Sequence, residues 1–509
     1  MRRVVILGGG TAGTMVANKL RAAYPQEQLH LTVVDQDDHH HYQPGYLFLP
    51  FGQLAPRQIV RARHSFIPDG VDLVLCGIES VDAKAKTVQL RTGDQLSYDT
   101  LIIATGVQPR PEATEGGDGP EVGKSVHHFY DLAAAESLQE AMRTFRGGRL
   151  VIHITEMPIK CPVAPLEFTF LADAFFADKK IRKKVEIVYV TPLDGAFTKP
   201  IASRELGDAL AKRNIALETD FAIERIDNET KEIVSFDDRH IPFDLLVTVP
   251  LNMGPDYIAA SGLGDENNFV PCDQGTMQSL ADPDIFVLGD GGTLKTSKAG
   301  SVAHFAVDIF MENFPDYLAG RQLTHNFDGH ANCFIETGHG KGMLLDFNYE
   351  TQPYTGAFPL PVVGPMTLLK ETPANHWAKV AFRWVYWNLL ITGRPLPFTA
   401  DMYLMGKKVE DTASGTSTKD LLLGLFGRRK HGGSAVTAPK ASARPTLPSS
   451  AAGKPAAKSS ARPASRPAAR PAAKSAAPAA PVPAYVAQKG VDSTADAASV
   501  LPDPILPKF

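Results

Sequence analysis

The sequence predicts a layered α/β fold, followed by an irregular C-terminal region and a disordered tail. Three observations carry this expectation. Short apolar runs that read as buried strands alternate with helical stretches from Val4 to Leu288. The first of them opens a complete strand, turn, helix and strand unit. The composition then changes abruptly at Arg428, after which Ala, Pro, Ser, Lys and Arg dominate.

The elements follow in order. Residues 4–7 form a short strand, 8–13 a glycine turn, 14–23 a helix, and 29–34 a second strand that ends at Asp35. Residues 71–75, 88–90, 101–104, 150–154, 185–190, 245–249 and 285–288 read as further strands. Beyond Asp328 prolines interrupt the pattern, until a dense aromatic stretch from His376 to Phe398. These changes partition the chain into 1–115, 116–245, 246–327, 328–427 and 428–509. The last piece cannot bury enough apolar area to offset its ordering entropy, so it is expected to be disordered.

Totals narrow the function. The chain has 509 residues, 52 basic and 56 acidic, a formal charge of −4, and only 4 cysteines. A disulfide-stapled mini-protein and a simple basic nucleic-acid binder are excluded. The charge is segregated: the tail from Arg428 to Lys489 holds twelve basic residues and no acidic one. It contains no base-reading motif, so no nucleic-acid function is expected. Met1-Arg2-Arg3 runs directly into a strand, and no cleavable secretory signal is read there.

Gly8-Gly9-Gly10-Thr11-Ala12-Gly13 is G-x-G-x-x-G, with Asp35 at the end of the next strand. Gly8 permits the tight turn, Gly10 lets backbone approach a pyrophosphate at the helix N-terminus beside Thr11 and Ala12, and Gly13 allows close helix packing. Asp35, with Gln36 beside it, would hold a ribose hydroxyl. Strand, helix and acid in register point to a dinucleotide.

Two later segments resemble the flavin disulfide-reductase superfamily: Ala104-Thr105-Gly106 after a strand, and Gly289-Asp290 after another. The resemblance implies FAD as cofactor and two Rossmann-like domains. It implies that Gly289 and Asp290 lie at the ribityl and pyrophosphate, that a helix starting at Lys298 to Gly300 lies near the flavin, and that Pro44 and Ile78 also line the cofactor. Members that use NAD(P)H carry a second glycine fingerprint in the middle domain. The corresponding stretch here, Thr155 to Glu167, contains no glycine. The next strand also lacks a terminal acid, so that nucleotide site is read as lost.

A cysteine stands in its place. Lys160-Cys161-Pro162-Val163-Ala164-Pro165-Leu166-Glu167, with Asn332-Cys333-Phe334, resembles sulfide:quinone oxidoreductases and the related flavin subunit of flavocytochrome c sulfide dehydrogenase. His39-His40-His41-Tyr42-Gln43-Pro44-Gly45-Tyr46 and His376-Trp377-Ala378-Lys379-Val380-Ala381-Phe382 look like segments of the same family. The resemblance runs from Met1 to about Pro397. It implies oxidation of sulfide to persulfide or polysulfide sulfur through a Cys161 and Cys333 redox pair, with Cys333 nearer the flavin. It also implies that Phe334, Phe382, Lys379 and Tyr46 meet ubiquinone or menaquinone on the flavin face opposite the cysteines. Many members have a third cysteine upstream, but Ser125-Val126-His127-His128-Phe129 has none.

The chemistry agrees: hydrosulfide attack on a disulfide leaves a persulfide and a thiolate, from which an electron pair can pass to a flavin. Lys160 would favour the thiolate, and Glu167 could shuttle the proton. Cys76 and Cys272 read as small core residues. Asp37-Asp38-His39-His40-His41 offers metal-ligating types, yet contiguous side chains rarely converge on one ion, so no metal is expected.

The acceptor is read from the C-terminus. Trp377, Val380, Trp384, Trp387 and Ile391 fall on one helix face, which suits a helix lying in a bilayer interface. Leu421 to Phe426, followed by Arg428-Arg429-Lys430, is a second candidate anchor. A C-terminal membrane-docking subdomain and a peripheral membrane location are therefore expected, with a homo-oligomer left open. Three rivals remain: a type II NADH:quinone oxidoreductase, which would need the missing fingerprint; a flavocytochrome c-like flavoprotein, which would be exported; and a non-catalytic flavin-binding interaction protein.

Overall fold

The computed structural model describes residues 1–360, 364–396 and 400–408, together with the backbone of Tyr485–Val486. The expected anchor at Leu421 to Phe426 lies outside the described residues, as does the tail from Arg428 apart from that dipeptide.

β1 (Arg2–Leu7), α1 (Thr11–Ala23) and β2 (Leu29–Asp35) form the expected unit, and β3 (Val71–Leu75) and β4 (Thr100–Ile103) extend its sheet. The chain then leaves to build a second parallel sheet. Its strands include β5 (Gly148–Ile154), β6 (Val185–Val190) and β7 (Leu245–Val249), with α2 (Ala164–Asp178) connecting β5 to β6. It returns with β8 (Ile285–Val287), which pairs in parallel with β4, and α3 (Gly300–Leu318) follows. The first sheet is thus ordered β8-β4-β1-β2-β3, and Tyr485–Val486, in the segment expected to be disordered, adds to it antiparallel to β3. Most side chains of the central strands are buried, as a sheet covered on both faces requires, while β3 buries only Leu73 and Val74.

The crossing between the two sheets is an antiparallel ribbon, Gln108–Arg110 against Leu251–Met253. The boundary expected after residue 245 cuts into β7, which pairs with β5 from Leu245 to Val249. The chain changes sheets at the ribbon instead, because that is where the pairing partner changes.

A third layer is mostly antiparallel, with one parallel pairing between Leu344 and Leu368. β9 (Ala331–Gly338) and β10 (Lys341–Phe347) form a hairpin, and β11 (Thr355–Leu360) and β12 (Gly364–Leu368) continue the sheet. α4 (Pro373–Val385) starts at Thr372, whose hydroxyl accepts the Asn375 N–H at 3.2 Å. β9 packs against α2 on one side and near α4 on the other, so the third layer meets the second along α2 from Glu167 to Ala174.

The aromatic stripe does not stay on one face. Trp377, Val380 and Trp384 are 50%, 47% and 57% exposed, whereas Trp387 and Ile391 are buried. The cause is a π-helical turn over Tyr386–Leu390, whose wider pitch rotates later residues inward. Trp387 lands in a cage of Phe66, His40 and Tyr42, with the Arg61 guanidinium 4.6 Å from its ring centre. No described helix is long and apolar enough to cross a membrane.

Candidate active site

Three glycine segments meet at the carboxyl ends of β1, β4 and β8, where ligands of open α/β sheets bind. Gly8 has φ +95°, and a Cβ there would lie 2.6 Å from the Ala104 carbonyl oxygen. A Cβ on Gly13 would lie 1.8 Å from the Gly8 oxygen, one on Gly289 3.5 Å from Ala12, and one on Gly291 3.3 Å from the Gly106 oxygen. At Gly10, by contrast, a Cβ would meet nothing within 4 Å. The backbone before α1 therefore opens onto a cradle, and the unpaired N–H groups of the first turn suit a pyrophosphate.

Asp35 is more constrained than its sequence position implies. Its carboxylate accepts the Gly9 N–H at 2.7 Å and the Gln36 N–H at 2.7 Å, and pairs with Arg63 at 2.8 Å. Burial raises its pKa, while Arg63 pulls the other way. Gln36 and Pro44 are exposed, and Ile78 and Thr105 are half-buried. Asp290 is raised by burial against the pull of Lys298 and Lys160. The Lys298 ammonium donates to the Gly292 carbonyl and lies 4.5 Å from the Phe269 ring centre, two residues before Gly300 opens α3.

Sequence reasoning missed Tyr386. Its hydroxyl is 2.8 Å from Thr11 Oγ1 and 2.8 Å from His40 Nε2, so the end of the C-terminal helix closes over the glycine turn. Burial holds His40 at about 3, hence neutral. The other acids and histidines of that loop go separate ways: Asp38 pairs with His64 at 2.5 Å, and Asp37 accepts the His39 N–H at 2.8 Å.

Cys161 sits in the loop between β5 and α2, where a nucleotide-binding domain would have its glycine turn. Its φ is +51°, a conformation rare for a residue with a side chain. Its N–H donates to the Lys298 carbonyl at 2.6 Å and its carbonyl accepts the Ala164 N–H at 2.9 Å, so the loop is tied both to α2 and to the first domain. Cys333 is buried on β9. Both are free thiols, and Cys333 feels the charge of Cys161. Cys76 and Cys272 are buried elsewhere.

The expected thiolate is not what the surroundings favour. Burial pushes the Cys161 thiol up to about 12, Glu167 adds to the shift, and Lys379 opposes it. Cys333 is raised still further, again chiefly by burial. Lys160, the expected activator, is drawn to Asp290 and Asp131, and Lys379 is the cation that counts most at Cys161.

Lys379 also crosses the expected division between cysteines and acceptor. Its ammonium donates to Glu167 Oε1, and to the Phe334 carbonyl at 3.2 Å. It lies 5.6 Å from the centre of the Phe48 ring. Glu167 is 1% exposed, and burial lifts its carboxyl to about 7 although Lys379 and the Glu336 N–H, 2.7 Å away, pull it down. A carboxyl in that range exchanges protons near neutrality. Glu336 and His376 continue the cluster, with His376 Nδ1 2.8 Å from Glu336 Oε2. Glu336 was missed by sequence reasoning, because it looks like an ordinary strand residue. Phe334 and Phe382 are half-buried beside this cluster's elements, and Tyr46 is buried with its ring 6.0 Å from that of His41.

The family described as pyridine nucleotide-disulphide oxidoreductase matches residues 2–152. The mitochondrial sulfide:quinone oxidoreductase of Schizosaccharomyces pombe is 26% identical over 424 residues, spanning 76% of this chain and 90% of the relative. That of Mus musculus is 24% identical over 401 residues, spanning 77% and 86%. The chain is similar to sulfide:quinone oxidoreductases. Among solved structures, that of the sulfide:quinone oxidoreductase from Aquifex aeolicus superposes with a TM-score of 0.65 at 20% identity, covering 77% of this chain and 92% of the other. The likeness establishes the α/β pyridine nucleotide-disulphide oxidoreductase fold and implies a flavin cofactor. The cradle at Gly10 fits such a group.

Proposed function

We propose that this protein is an FAD-dependent sulfide:quinone oxidoreductase, working at a membrane surface with Cys161 and Cys333 as its redox pair. The observation that carries this reading is the meeting of both thiols with the buried Glu167 and Lys379 pair, next to the flavin cradle and in place of a second nucleotide site. Gly8, Gly10, Thr11, Ala12 and Gly13 would hold the pyrophosphate, and Gly289, Asp290, Lys298 and Gly300 the ribityl side. When bound, FAD supplies a two-electron acceptor.

The residues then divide the work. Hydrosulfide attacks the Cys161 sulfur of the oxidised pair; the bond between Cys161 and Cys333 breaks, a persulfide forms on Cys161, and Cys333 leaves as a thiolate with the electron pair. Its buried site disfavours that thiolate, which favours handing the electrons onward. Glu167 takes up the proton that hydrosulfide oxidation releases, and Lys379 keeps the resulting charge changes local. A second hydrosulfide carries off the sulfane sulfur as a polysulfide and frees Cys161 as a thiolate, which closes the bond to Cys333 again once the electron pair of Cys333 has passed to the acceptor that FAD would supply. Phe334, Phe382 and Tyr46 offer aromatic walls for quinone.

Membrane docking rests on the exposed Trp377, Val380 and Trp384, with Lys370 exposed nearby in the chain. Indole rings and basic side chains together favour an anionic bilayer interface. Replacing Trp377 and Trp384 with alanine should release the protein from anionic vesicles in a cosedimentation assay.

The deciding experiment is anaerobic. Sulfide should bleach the flavin band, a soluble quinone should restore it, and Cys333→Ser should abolish the first step. Bleaching by NADH instead would overturn the assignment.

A further inference from the structure

The proposed reaction does not balance in protons within the site. Oxidising one hydrosulfide to sulfane sulfur releases two electrons and one proton, whereas reducing a quinone consumes two electrons and two protons. One proton per turnover must therefore enter from outside. Cys333, Glu167 and Glu336 are all nearly inaccessible to water, so its entry needs a built path.

The third layer carries residues suited to one. Glu336 is 2% exposed, and its Oε1 is buried without a hydrogen-bond partner. A buried carboxylate oxygen left unpaired is destabilising, so its retention calls for an explanation. Its other oxygen meets His376 Nδ1 at 2.8 Å, and the His376 side chain is 24% exposed. On the inner side, the Glu336 N–H donates to Glu167 at 2.7 Å, and the Lys379 ammonium, bonded to Glu167, also feels the Glu336 charge. His376 and Lys379 are one turn apart on α4, so a single helix presents both to the two acids. Gly342, opposite Glu336 in the hairpin, permits this approach: a Cβ there would lie 3.3 Å from the His376 nitrogen.

We propose that Glu336 and His376 form the inlet of a proton path, leading from the outer side of α4 to the Glu167 and Lys379 pair. This rests on the quinone half of the function proposed above. His376 gives its Nδ1 proton to Glu336 Oε2 and is reprotonated from water. The resulting acid lies in the field of the ammonium bonded to Glu167, and passage of a proton to Glu167 returns Glu336 to its anionic form. The charged and titratable groups around the path are Glu167 from α2, Cys161 from the loop before it, Cys333 from β9, and Lys379 from α4.

The test uses the flavin-loaded full chain reduced with dithionite, so that it does not depend on sulfide. Mixing with a short-chain soluble quinone in weak buffer with a pH indicator reads flavin reoxidation and proton uptake together. The wild type should take up protons in step with reoxidation and slow in D2O. Glu336→Gln and His376→Ala should each slow both signals by about a hundredfold, the low end of what positioned proton transfer supplies. Imidazole should restore much of the His376→Ala rate, and Glu336→Asp should fall between Gln and wild type. Rates within twofold of wild type in both variants, no rescue by imidazole, or a wild-type rate insensitive to D2O would overturn the path. If sulfide fails to bleach the flavin while quinone still reoxidises the dithionite-reduced protein, the substrate assignment falls and the path is judged on its own. If quinone does not reoxidise the wild type, both fall.

Discussion

Replacing Lys379 with methionine removes the ammonium on which Glu167 depends. Glu167 would keep only the Glu336 N–H at 2.7 Å, inside a site where it is 1% exposed. Its carboxyl stands at about 7 even with the lysine present, so without it the proton is held to still higher pH. Because this folded-state pKa is raised, stability is fully present below the unfolded value and is lost as pH climbs toward the folded one. In the wild type that loss ends near 7 and amounts to about 3–4 kcal/mol, at 1.36 kcal/mol per unit above an unfolded value of about 4.3. In Lys379→Met the loss continues above 7, so that the deficit relative to wild type approaches the ~3–5 kcal/mol typical of breaking a buried ion pair. The variant should therefore be about 1 kcal/mol less stable than wild type at pH 6, and about 3 kcal/mol less stable at pH 9. Urea unfolding followed by far-UV circular dichroism at matched flavin occupancy measures both. The double variant Glu167→Gln/Lys379→Met should recover most of the deficit at pH 9. Equal deficits at the two pH values, or a double variant no better than the single one, would refute the claim that this lysine holds the carboxylate.

Three other outcomes are expected. In the reduced protein Cys161 stands at about 12; after allowing for the greater nucleophilicity of high-pKa thiols, its alkylation by iodoacetamide at pH 8 should be about fiftyfold slower than that of free cysteine. The rate should keep rising through pH 10, and a plateau near pH 8 would contradict the burial argument. Gly10→Ala should leave the melting temperature of the flavin-free protein unchanged, since its Cβ meets nothing within 4 Å, while flavin binding measured by fluorescence quenching weakens sharply. Tyr386→Phe deletes the hydroxyl that lies 2.8 Å from both Thr11 and His40, and should raise the flavin dissociation constant by about tenfold, equivalent to ~1.4 kcal/mol.

What could be read from the sequence follows the range of the interactions. The glycine turn, its strand and its helix are set by neighbours a few residues apart, and they appear where expected. α3 begins at Gly300, where the family resemblance rather than local spacing places its start. The aromatic stripe was legible only up to Val385, because extrapolating a 3.6-residue period cannot anticipate the π turn that follows. The cation beside Cys161 was misread for a different reason: Lys160 is its neighbour in sequence, but Lys379 reaches the site from the far end of the fold. Glu336 carried no signal because its importance lies in what surrounds it, and an acid in an exposed strand has the same spelling.

The ribbon at Gln108–Arg110 and Leu251–Met253 has a consequence for how the chain is made. β4 emerges from the ribosome long before β8, its partner on the outer side of the first sheet. Until Ile285–Val287 arrives, the flavin-binding half exposes an apolar, unpaired strand edge, an invitation to association with other nascent chains. The inserted middle domain can close on itself in that interval and draw its two connections together. A chain cut near residue 115 would thus keep the glycine motif yet lack the strand that shields it, and aggregation rather than flavin binding is the behaviour to anticipate from such a fragment.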